Sequence, residues 1–269
     1  QPIFDAMSTA VLQRLPPSGS SVLDISSGPG EPTLTLAKMD RDRPGSSPKI
    51  AQIVCTDYQE AMKQKAQTRV EAAGPFHQLE MVFETTSGDN LDKWHAEEFD
   101  AVTMSYGLMF IPDKQKSLQE VYRVLKPGGF AYISVWKALS FQTFAHEVMN
   151  ELAGEDLGEF AINPMALKEE NAVEKFAKHA ALQIVKDDRL NYSFKLGSLR
   201  DTADSLTILA GEQLKKLEAK NKDAKTKYYN IVEREVKKRG WYDASADTVA
   251  LPSNVPQLLI LRKPLHEEL

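Results

Sequence analysis

The sequence predicts a doubly wound α/β fold, and three observations support this prediction. Short apolar runs alternate with helical patterns from residue 20 to residue 136, which is typical of a parallel sheet with helices on both faces. The first apolar run, Val22–Ile25, ends in the glycine turn Gly28-Pro29-Gly30, and a helical pattern follows. Strand, glycine turn and helix form the nucleotide-binding entry unit of such folds. Finally, the unbroken apolar run at 256–262 predicts a last strand buried in the sheet.

The elements can be assigned in chain order from apolar periodicity and from proline and glycine breaks. Residues 1–15 carry one apolar stripe at helical spacing and predict a first helix. Strand one and its helix follow, and then a loop at 40–48. The remaining elements of the first half are strands at 49–56, 79–85, 99–105 and 130–136, with helices at 60–73 and 114–125.

The pattern is looser beyond residue 136. Helices are predicted at 141–152, 165–179, 199–218 and 223–239, and β-like stretches at 181–185 and 190–196. We therefore expect a core domain at 16–137, completed by strands near 181–196 and 256–262. The remaining segments, 138–179 and 198–254, are expected to form a mainly helical addition to that core.

The composition narrows the class of protein. The chain has 269 residues, 42% apolar, with a net charge of −5; this is ordinary for a globular protein and unlike the basic surface of a dedicated nucleic-acid binder. The single cysteine, Cys55, cannot form an internal disulfide or a cysteine zinc cluster, which favours a reducing, cytoplasmic location. No apolar run is long enough to span a bilayer, and no signal-peptide pattern is visible. The chain begins at Gln1 without a methionine, so we expect an N-terminal piece to have been removed.

Candidate ligand-binding residues follow the ends of the predicted strands. Glycines in the turn after strand one allow positive φ and a close approach of a ligand to the backbone. Asp57 ends strand two, where a carboxylate binds a ribose diol; it is also placed to be the N-cap of the helix near Glu60. Asp89 follows strand three and is suited to an exocyclic amine of a base or to an ordinary Gly-Asp turn. A dinucleotide-binding fingerprint has glycine or alanine as its third small residue, where this chain has Thr33. This difference argues against NAD as the cofactor.

Five features follow one another along the chain: VLDISSGPGEP at 22–32, Asp57 at the end of strand two, GDN at 88–90, FDAVTMSYGLMFIPD at 99–113 and VYRVLKPGGFAYISVW at 121–136. Together, and in this order, they resemble the class I S-adenosylmethionine-dependent methyltransferases. The resemblance is strongest to the small-molecule group that includes the ubiquinone and menaquinone C-methyltransferases, and it covers about residues 20–137. It implies a seven-stranded, mostly parallel sheet with an antiparallel last strand.

The resemblance also implies a role for individual residues in binding S-adenosylmethionine. Asp57 is expected to bind the ribose hydroxyls, with Tyr58 beside the adenine. Ser26 stands where the family commonly has glycine, and we expect it to be tolerated only if its φ is negative. The other implied contacts are Asp24, Ser26, Ser27, Gly28 and Gly30 to the methionine moiety, Asp89 and Asn90 to the adenine edge, and Ser105 and Tyr106 beside the methyl-donor site.

Methyl transfer from a sulfonium needs alignment and sometimes removal of a proton, so a weak catalytic signature is expected. Tyr106, His146 and Tyr192 are the candidates for handling the acceptor. His146 has the right ordinary pKa for a general base, but it is also placed to be a solvent-facing helix residue; Tyr106 either donates to the acceptor or lines the pocket wall. None of the other histidines has metal-ligand spacing.

The sequence therefore predicts an S-adenosylmethionine-dependent methyltransferase that acts on a small-molecule acceptor. In this fold the segments around strand six usually cover the acceptor, so 138–179 and 198–254 are expected to be a substrate cap. Lysine-rich helices between 215 and 239 are either a solvated face with compensating acids or a surface for an anionic substrate or RNA. An RNA or protein methyltransferase and a non-catalytic cofactor-binding protein therefore stay open as alternatives.

Overall fold

The computed structural model describes residues 2–43 and 49–268. They form two compact units. The first unit comprises the described residues up to 135, together with 166–190 and those from 256 onward. The second comprises 136–165 and 191–255. In chain order the elements are α1 Pro2–Arg14, β1 Ser20–Asp24, α2 Thr33–Arg41, β2 Ile50–Asp57, α3 Glu60–Ala72, β3 Glu80–Thr85, β4 Phe99–Ser105, α4 Lys114–Val124, β5 Leu125–Ala138, α5 Ser140–Ala153, α6 Ala172–His179, β6 Gln183–Arg189, β7 Tyr192–Lys195, α7 Leu199–Lys220, α8 Ala224–Lys238, β8 Tyr242–Asp243 and β9 Thr248–Arg262.

The main path of the sheet has the order β3-β2-β1-β4-β5-β9-β6. Strands β1 to β5 pair in parallel along this path, and β9 pairs antiparallel with β6. The predicted doubly wound sheet with an antiparallel last strand is thereby confirmed. The strand order reverses between β1 and β4, and the carboxyl ends of strands at such a point form the usual ligand crevice.

The core of the first unit includes the amino-terminal helix. Ile3, Met7 and Val11 of α1 are fully buried in one cluster with residues of β1 and β2, as the single apolar stripe predicts. The Tyr132 hydroxyl of β5 donates a hydrogen bond to the Ala10 carbonyl oxygen at 3.2 Å. Burial raises the pKa of that phenol. Helix α1 is therefore an integral part of the sheet's covering layer.

The second unit is built from α5, α7 and α8 together with β7, β8 and the first part of β9. Phe144, Leu206, Tyr228 and Val232 lie at its centre. Helix α7 begins with a capping box in which Ser198 and Asp201 satisfy each other's backbone N–H groups. The helices predicted at 199–218 and 223–239 are confirmed within two residues at each end.

Several expectations differ in extent from the structure. The helix expected at 165–179 begins only at Ala172, because Asn171 has φ +58° and the Met165 N–H donates to the Asn163 side chain; a left-handed residue interrupts a helix. Residues 166–179 also belong to the first unit rather than to the cap segment expected at 138–179. The β-like stretches resolve into β6 and β7. Most of the loop expected at 40–48 lies outside the described residues, and Asp40 and Arg41 end α2.

Across residues 2–43 and 49–268, no helix combines the length and the apolar character needed to cross a membrane.

Candidate cofactor-binding site

The predicted cofactor residues gather at one edge of the sheet. Asp24 is in register with Cys55 of β2 and Thr103 of β4, and Asp57 is in register with Thr85 of β3. Because these strands are parallel, their carboxyl ends lie on the same edge. The structure thus brings together the glycine turn, Asp57 and the residues that follow β3 and β4.

Asp24 is buried beneath the glycine turn, with a residue exposure of 1%. One carboxylate oxygen accepts hydrogen bonds from the Thr33 N–H at 3.2 Å and the Thr33 hydroxyl at 2.6 Å. The other accepts from the Thr103 hydroxyl at 2.8 Å. Burial raises the pKa of Asp24 to about 7, against the lowering effect of these hydrogen bonds. Asp24 therefore joins β1 and β4 to the first residue of α2.

The glycine turn is fixed by its own backbone and by the tip of β2. The Ser27 N–H donates to the Thr56 carbonyl oxygen at 2.8 Å, and the Gly30 N–H donates to the Ser27 carbonyl oxygen at 3.0 Å. Gly28 and Gly30 have φ of +54° and +95°, conformations that glycine adopts readily. The Cys55 thiol lies 2.9 Å from the Ser27 hydroxyl, and burial raises the pKa of that thiol to about 12. The buried thiol is therefore protonated and serves packing.

Ser26 contradicts the expectation of a negative φ. Its φ is +56°, which lies in the left-handed region that few non-glycine residues adopt. Its side chain packs against the backbone after β4: a Cβ added to Gly107 would lie 2.6 Å from the Ser26 Cβ. Glycine at 107 therefore provides the space that the Ser26 side chain occupies.

Asp57 binds the glycine turn. One of its oxygens accepts from the Gly28 N–H at 2.8 Å, and the other accepts from the Gln59 N–H at 2.8 Å. Gln59, not Asp57, holds the N-cap position of α3, so the N-cap alternative is wrong. A carboxylate has about four acceptor positions, and two bonds leave capacity for further donors. Asp57 therefore retains the means to accept hydrogen bonds from a diol.

Tyr58 extends from the tip of β2 into solvent, with 74% of the residue exposed. The ring is thus not a core residue, and its faces are accessible for stacking. After β3, the Ser87 hydroxyl donates to Asp89, which also accepts from the Asp113 N–H at 3.3 Å. The Ser87 hydrogen bond holds the pKa of Asp89 below its ordinary value despite partial burial. Asn90 is exposed next to it.

Ser105 ends β4, Tyr106 follows it, and both residues are hydrogen-bonded to β5. The Ser105 and Ser134 hydroxyls are 3.0 Å apart, and the Tyr106 N–H donates to the Ser134 carbonyl oxygen at 3.0 Å. Tyr106 has φ +56° and packs edge-on against Phe4 of α1, with ring centroids 6.4 Å apart. This partial burial favours the interpretation of Tyr106 as a wall residue.

His146 and Tyr192 lie in the second unit, whereas Tyr106 lies in the first. His146 stacks on Phe160 with ring centroids 3.9 Å apart. Burial lowers its pKa, while the nearby Glu159 and Asp156 carboxylates act in the opposite direction. The imidazole is therefore partly buried rather than solvent-facing. Tyr192 packs within an aromatic cluster with Trp136 and Phe194.

The second unit also contains a cavity of about 400 Å³ between α7 and the chain that follows α5, within the usual range for small-molecule sites. Two of its apolar lining residues are unusually exposed, Ile208 at 69% and Ile162 at 47%. The lining residues are Leu157, Glu159, Phe160, Ala161, Ile162, Thr207, Ile208, Leu209, Gly211, Glu212, Gln213 and Lys216.

Several cations of the second unit are paired with acids. Lys216 and Glu212 are 2.7 Å apart, and Lys237 and Glu233 are 2.6 Å apart. Arg239 contacts Glu147 at 2.6 Å. Because acids neutralise these cations, the pairs favour an ordinary solvent-exposed surface over an RNA-binding surface for the lysine-rich helices between 215 and 239. In the part of the chain that the structure describes, no group of His, Cys, Asp and Glu side chains is arranged to hold a metal ion.

Sequence reasoning missed three polar residues that support the site: Thr103, Ser134 and Arg69. Thr103 and Ser134 lie within otherwise apolar strands, in FDAVTMS and in FAYISVW, and their polar character at buried positions is a usable signal. Arg69 contacts the glycine turn from α3. Its helix gives no signal of that contact, because charged residues are frequent on any exposed helical face.

Comparisons with known proteins agree with this geometry. Residues 8–152 match the model of the ubiE/COQ5 methyltransferase family. A ubiquinone/menaquinone biosynthesis C-methyltransferase of Rickettsia akari is 36% identical over 118 residues, which are 44% of this chain and 45% of that protein. The corresponding protein of Hydrogenovibrio crunogenus is 29% identical over 224 residues, 83% of this chain and 73% of that protein. With the first of these relatives, the match spans less than half of the relative's length.

Solved structures show the same fold. A putative methyltransferase from Bacillus halodurans C-125 superimposes with a TM-score of 0.59 at 19% identity, covering 97% of this chain and 98% of that chain. The [4+2]-cyclase SpnF superimposes with a TM-score of 0.57 at 17% identity, covering 97% and 81%. At these identities the likeness concerns architecture, and one fold supports different chemistries.

Proposed function

Because the chain belongs to the ubiE/COQ5 methyltransferase family, we propose that it transfers the methyl group of S-adenosylmethionine to a small-molecule acceptor. The observation that carries the proposal is the Asp57 carboxylate. It lies at the tip of β2, is bonded to the Gly28 N–H, and keeps acceptor capacity beside an exposed aromatic ring. A ribose diol next to a purine is the ligand chemistry that suits this pair.

The residues of this chain fit the cofactor. The methionine moiety is proposed to lie against the turn formed by Ser26, Ser27, Gly28 and Gly30 at the strand edge. Three of these residues, Ser26, Gly28 and Gly30, have positive φ. Asp24 is proposed to support this turn from below through Thr33 and Thr103. Asp57 is proposed to accept from the ribose hydroxyls, with Tyr58 on the adenine face.

Asp89 and Asn90 are proposed to meet the adenine edge. Ser105 and Tyr106 are proposed to border the methyl donor. The two hydrogen bonds that Asp89 accepts from Ser87 and Asp113 hold that loop in place for such a contact.

The acceptor is proposed to be methylated at carbon, because the curated relatives are named as C-methyltransferases. When bound, S-adenosylmethionine supplies an activated methyl group. Methylation at carbon would also require the acceptor carbon to lose a proton. His146 is proposed as the group that takes this proton, since imidazole is the commonest general base and burial lowers the pKa of His146. Tyr106 is proposed to orient the acceptor.

The second unit is proposed to recognise the acceptor. The family match ends at residue 152, so α7 and α8 lie outside it. The cavity with exposed Ile162 and Ile208 suits an acceptor with an apolar portion. Of the substrate cap expected at 138–179 and 198–254, this proposal retains 138–165 and 198–254, because residues 166–179 belong to the first unit.

The proposed cofactor site is tested by calorimetric titration with S-adenosylhomocysteine. The wild type is expected to bind at micromolar concentration, and Asp57→Ala is expected to lose about 10-fold or more in affinity, because hydrogen bonds to a charged acceptor contribute about 1.5–3 kcal/mol. Asp42→Ala is the matched control, since it removes an exposed carboxylate from the far end of α2. Equal affinity of the Asp57→Ala and Asp42→Ala proteins would contradict the ribose role, and no binding to the wild type would contradict the proposed function.

A further inference from the structure

A side chain of α3 reaches the glycine turn that connects β1 to α2. Arg69 Nη1 donates a hydrogen bond to the Pro29 carbonyl oxygen at 2.6 Å. Arg69 Nη2 donates to Glu31 Oε1 at 2.9 Å. One guanidinium therefore bridges the turn and the residue that follows it, although Arg69 comes 40 residues after Pro29 in the chain.

The peptide between Pro29 and Gly30 is held at both of its polar atoms. Its carbonyl oxygen accepts from Arg69, and its N–H donates to the Ser27 carbonyl oxygen at 3.0 Å. Because a peptide group is planar, bonds on its two opposite sides fix the orientation of that plane. Gly28 and Gly30 cannot fix it themselves, since glycine has the widest conformational freedom of any residue.

Helix α3 approaches the same turn at a second point. A Cβ added to Gly30 would lie 3.2 Å from both Cα and Cβ of Ala66. Ala66 and Arg69 are three residues apart and therefore lie on one face of the helix. The small side chain of Ala66 lets the backbone come close, and the long side chain of Arg69 reaches past it to the carbonyl oxygen.

The contact extends to α2 through Glu31. While one Glu31 oxygen accepts from Arg69, the other accepts from the Thr35 hydroxyl at 2.7 Å in the first turn of α2. Arg69 thus connects α3, the turn and the start of α2. Its side chain is 42% exposed, so the ion pair with Glu31 is of the screened kind that contributes little by itself. The bond to the Pro29 carbonyl is the one that acts on the turn.

We infer, on the basis of the proposed function, that Arg69 is a positioning residue for S-adenosylmethionine. It acts through Pro29 and Gly30 by holding the turn in its binding conformation before the cofactor arrives. A turn that is ordered in advance loses less conformational entropy when the ligand binds, and affinity rises accordingly. Arginine suits this role because the N–H groups of its planar guanidinium reach two acceptors at once, whereas the N–H donors of lysine all lie on one nitrogen.

The test compares four variants by calorimetric titration with S-adenosylhomocysteine. Arg69→Ala is expected to weaken binding about 10-fold and Arg69→Lys about threefold, because the hydrogen bond to the carbonyl is lost or only partly replaced. Glu31→Gln is expected to stay within about twofold, since the bond to Pro29 remains. Lys65→Ala is the matched control: it removes one positive charge from the exposed face of α3 and is expected to change nothing.

Two outcomes would overturn the inference. One is an Arg69→Ala affinity equal to that of Lys65→Ala. The other is a Glu31→Gln loss as large as the Arg69→Ala loss, which would assign the effect to the ion pair instead of the turn. In turnover assays, Arg69→Ala is expected to raise KM for S-adenosylmethionine about 10-fold with kcat within about twofold, as an effect confined to binding requires.

Hydrogen exchange separates this inference from the proposed function. In the protein without ligand, the Gly30 and Glu31 amides both donate to the Ser27 carbonyl oxygen, and in Arg69→Ala they are expected to exchange about 10-fold faster. The amides of β1 are expected to exchange as in the wild type. A wild type that fails to bind S-adenosylhomocysteine would defeat the proposed function, whereas unchanged Gly30 and Glu31 exchange in Arg69→Ala would defeat the positioning role.

Discussion

The strand edge of the first unit and the cavity of the second unit differ in how their functional side chains are held. At the strand edge, Asp24 and Asp57 each accept hydrogen bonds from protein donors on both oxygens. In the second unit, Ile162 and Ile208 stand exposed at a cavity. A site whose side chains are already hydrogen-bonded before the ligand arrives suits a cofactor of fixed shape, whereas an exposed apolar site suits variable partners.

The same contrast appears in the backbone. Ser26 and Tyr106, both non-glycine residues with φ of +56°, lie at the ends of the two central strands β1 and β4. Such residues cost about 1–3 kcal/mol each and cluster at functional sites. Within the described part of the second unit, the non-glycine residues with positive φ, Asp247 and Ser253, lie in the β8–β9 turn and in β9. Positive φ at non-glycine residues therefore occurs at the strand edge and also elsewhere in the first unit, at Gln78, Glu97, Asn171 and Ala181, whereas none of the residues that line the cavity has it.

The largest expected effect concerns the buried carboxylate that supports the strand edge. The pKa of Asp24 is raised from 3.8 to about 7 by burial, so the folded protein holds a proton that the unfolded chain releases between these pH values. The contribution of Asp24 to the free energy of unfolding is therefore greatest at low pH and falls as pH rises from about 4 to about 7. The loss amounts to about 4 kcal/mol, because one pKa unit corresponds to about 1.36 kcal/mol.

Asp24→Asn removes this titration. We expect its free energy of unfolding in urea to lack the decline that Asp24 contributes to the wild type between about pH 4 and pH 7, so that the difference between the two proteins shifts in favour of the variant as pH rises. Asp42→Asn, at an exposed carboxylate whose pKa is lowered by Arg41, is the control and is expected to keep the wild-type decline. Parallel profiles of Asp24→Asn and wild type would contradict the raised pKa.

The second effect contrasts a glycine from each unit. A Cβ on Gly107 would lie 2.6 Å from the Ser26 Cβ and 3.1 Å from Met104 Cγ, so Gly107→Ala is expected to destabilise the protein by about 1–3 kcal/mol through overpacking. In the second unit, Gly211 lies inside α7 with its nearest neighbour at 3.8 Å. Gly211→Ala is expected to stabilise by about 0.5–1 kcal/mol, because alanine favours the helix. Urea unfolding measures both.

A second substitution identifies the cause of the Gly107→Ala loss. Ser26→Gly removes the Cβ and hydroxyl that crowd position 107 and also supplies the residue that tolerates φ +56°. We expect Gly107→Ala combined with Ser26→Gly to recover about 1 kcal/mol or more over Gly107→Ala alone. Simple additivity of the two substitutions would show that Ser26 and Gly107 do not interact.

Sequence patterns predict the candidate ligand-binding residues at the strand edge better than they predict the residues that hold them in place. Asp57 and the glycine turn are adjacent to strong local signals, a buried strand on one side and a helix on the other, so their position follows from topology alone. Thr33, Thr103 and Arg69 complete the same site from three separate elements. Which threonine meets Asp24 depends on strand register, and register between distant strands is a tertiary property.

The sign of φ at Ser26 shows a different limit. Serine usually avoids the left-handed region, so the residue type indicated a negative φ, and the structure has +56°. The decisive partner is Gly107, whose missing Cβ provides the space. Likewise, the apolar pattern indicates a helix from residue 165, but α6 begins only at Ala172 because Asn171 before it has φ +58°. Periodicity reports burial and carries little information about single left-handed residues.

The smallest expected effect tests the cavity of the second unit. If the acceptor has an apolar portion that contacts Ile208, Ile208→Ser is expected to raise KM for the acceptor about fivefold, since losing a partly buried aliphatic contact costs about 1 kcal/mol. KM for S-adenosylmethionine is expected to stay unchanged, because the proposed cofactor residues belong to the first unit. Ile208 is already 69% exposed, so the substitution leaves the fold intact.

Matched controls make this last comparison specific. Ile162 lines the cavity and Ile184 lies on β6 of the first unit, and both are 47% exposed. Ile162→Ser is therefore expected to raise the acceptor KM as Ile208→Ser does, and Ile184→Ser to leave it unchanged, in initial-rate assays that follow S-adenosylhomocysteine release. An equal response to all three substitutions would mean that general surface polarity, and not the cavity, determines acceptor binding. If only Ile184→Ser raised KM for the acceptor, the apolar contact with the acceptor would lie on β6, and acceptor recognition would belong to the first unit.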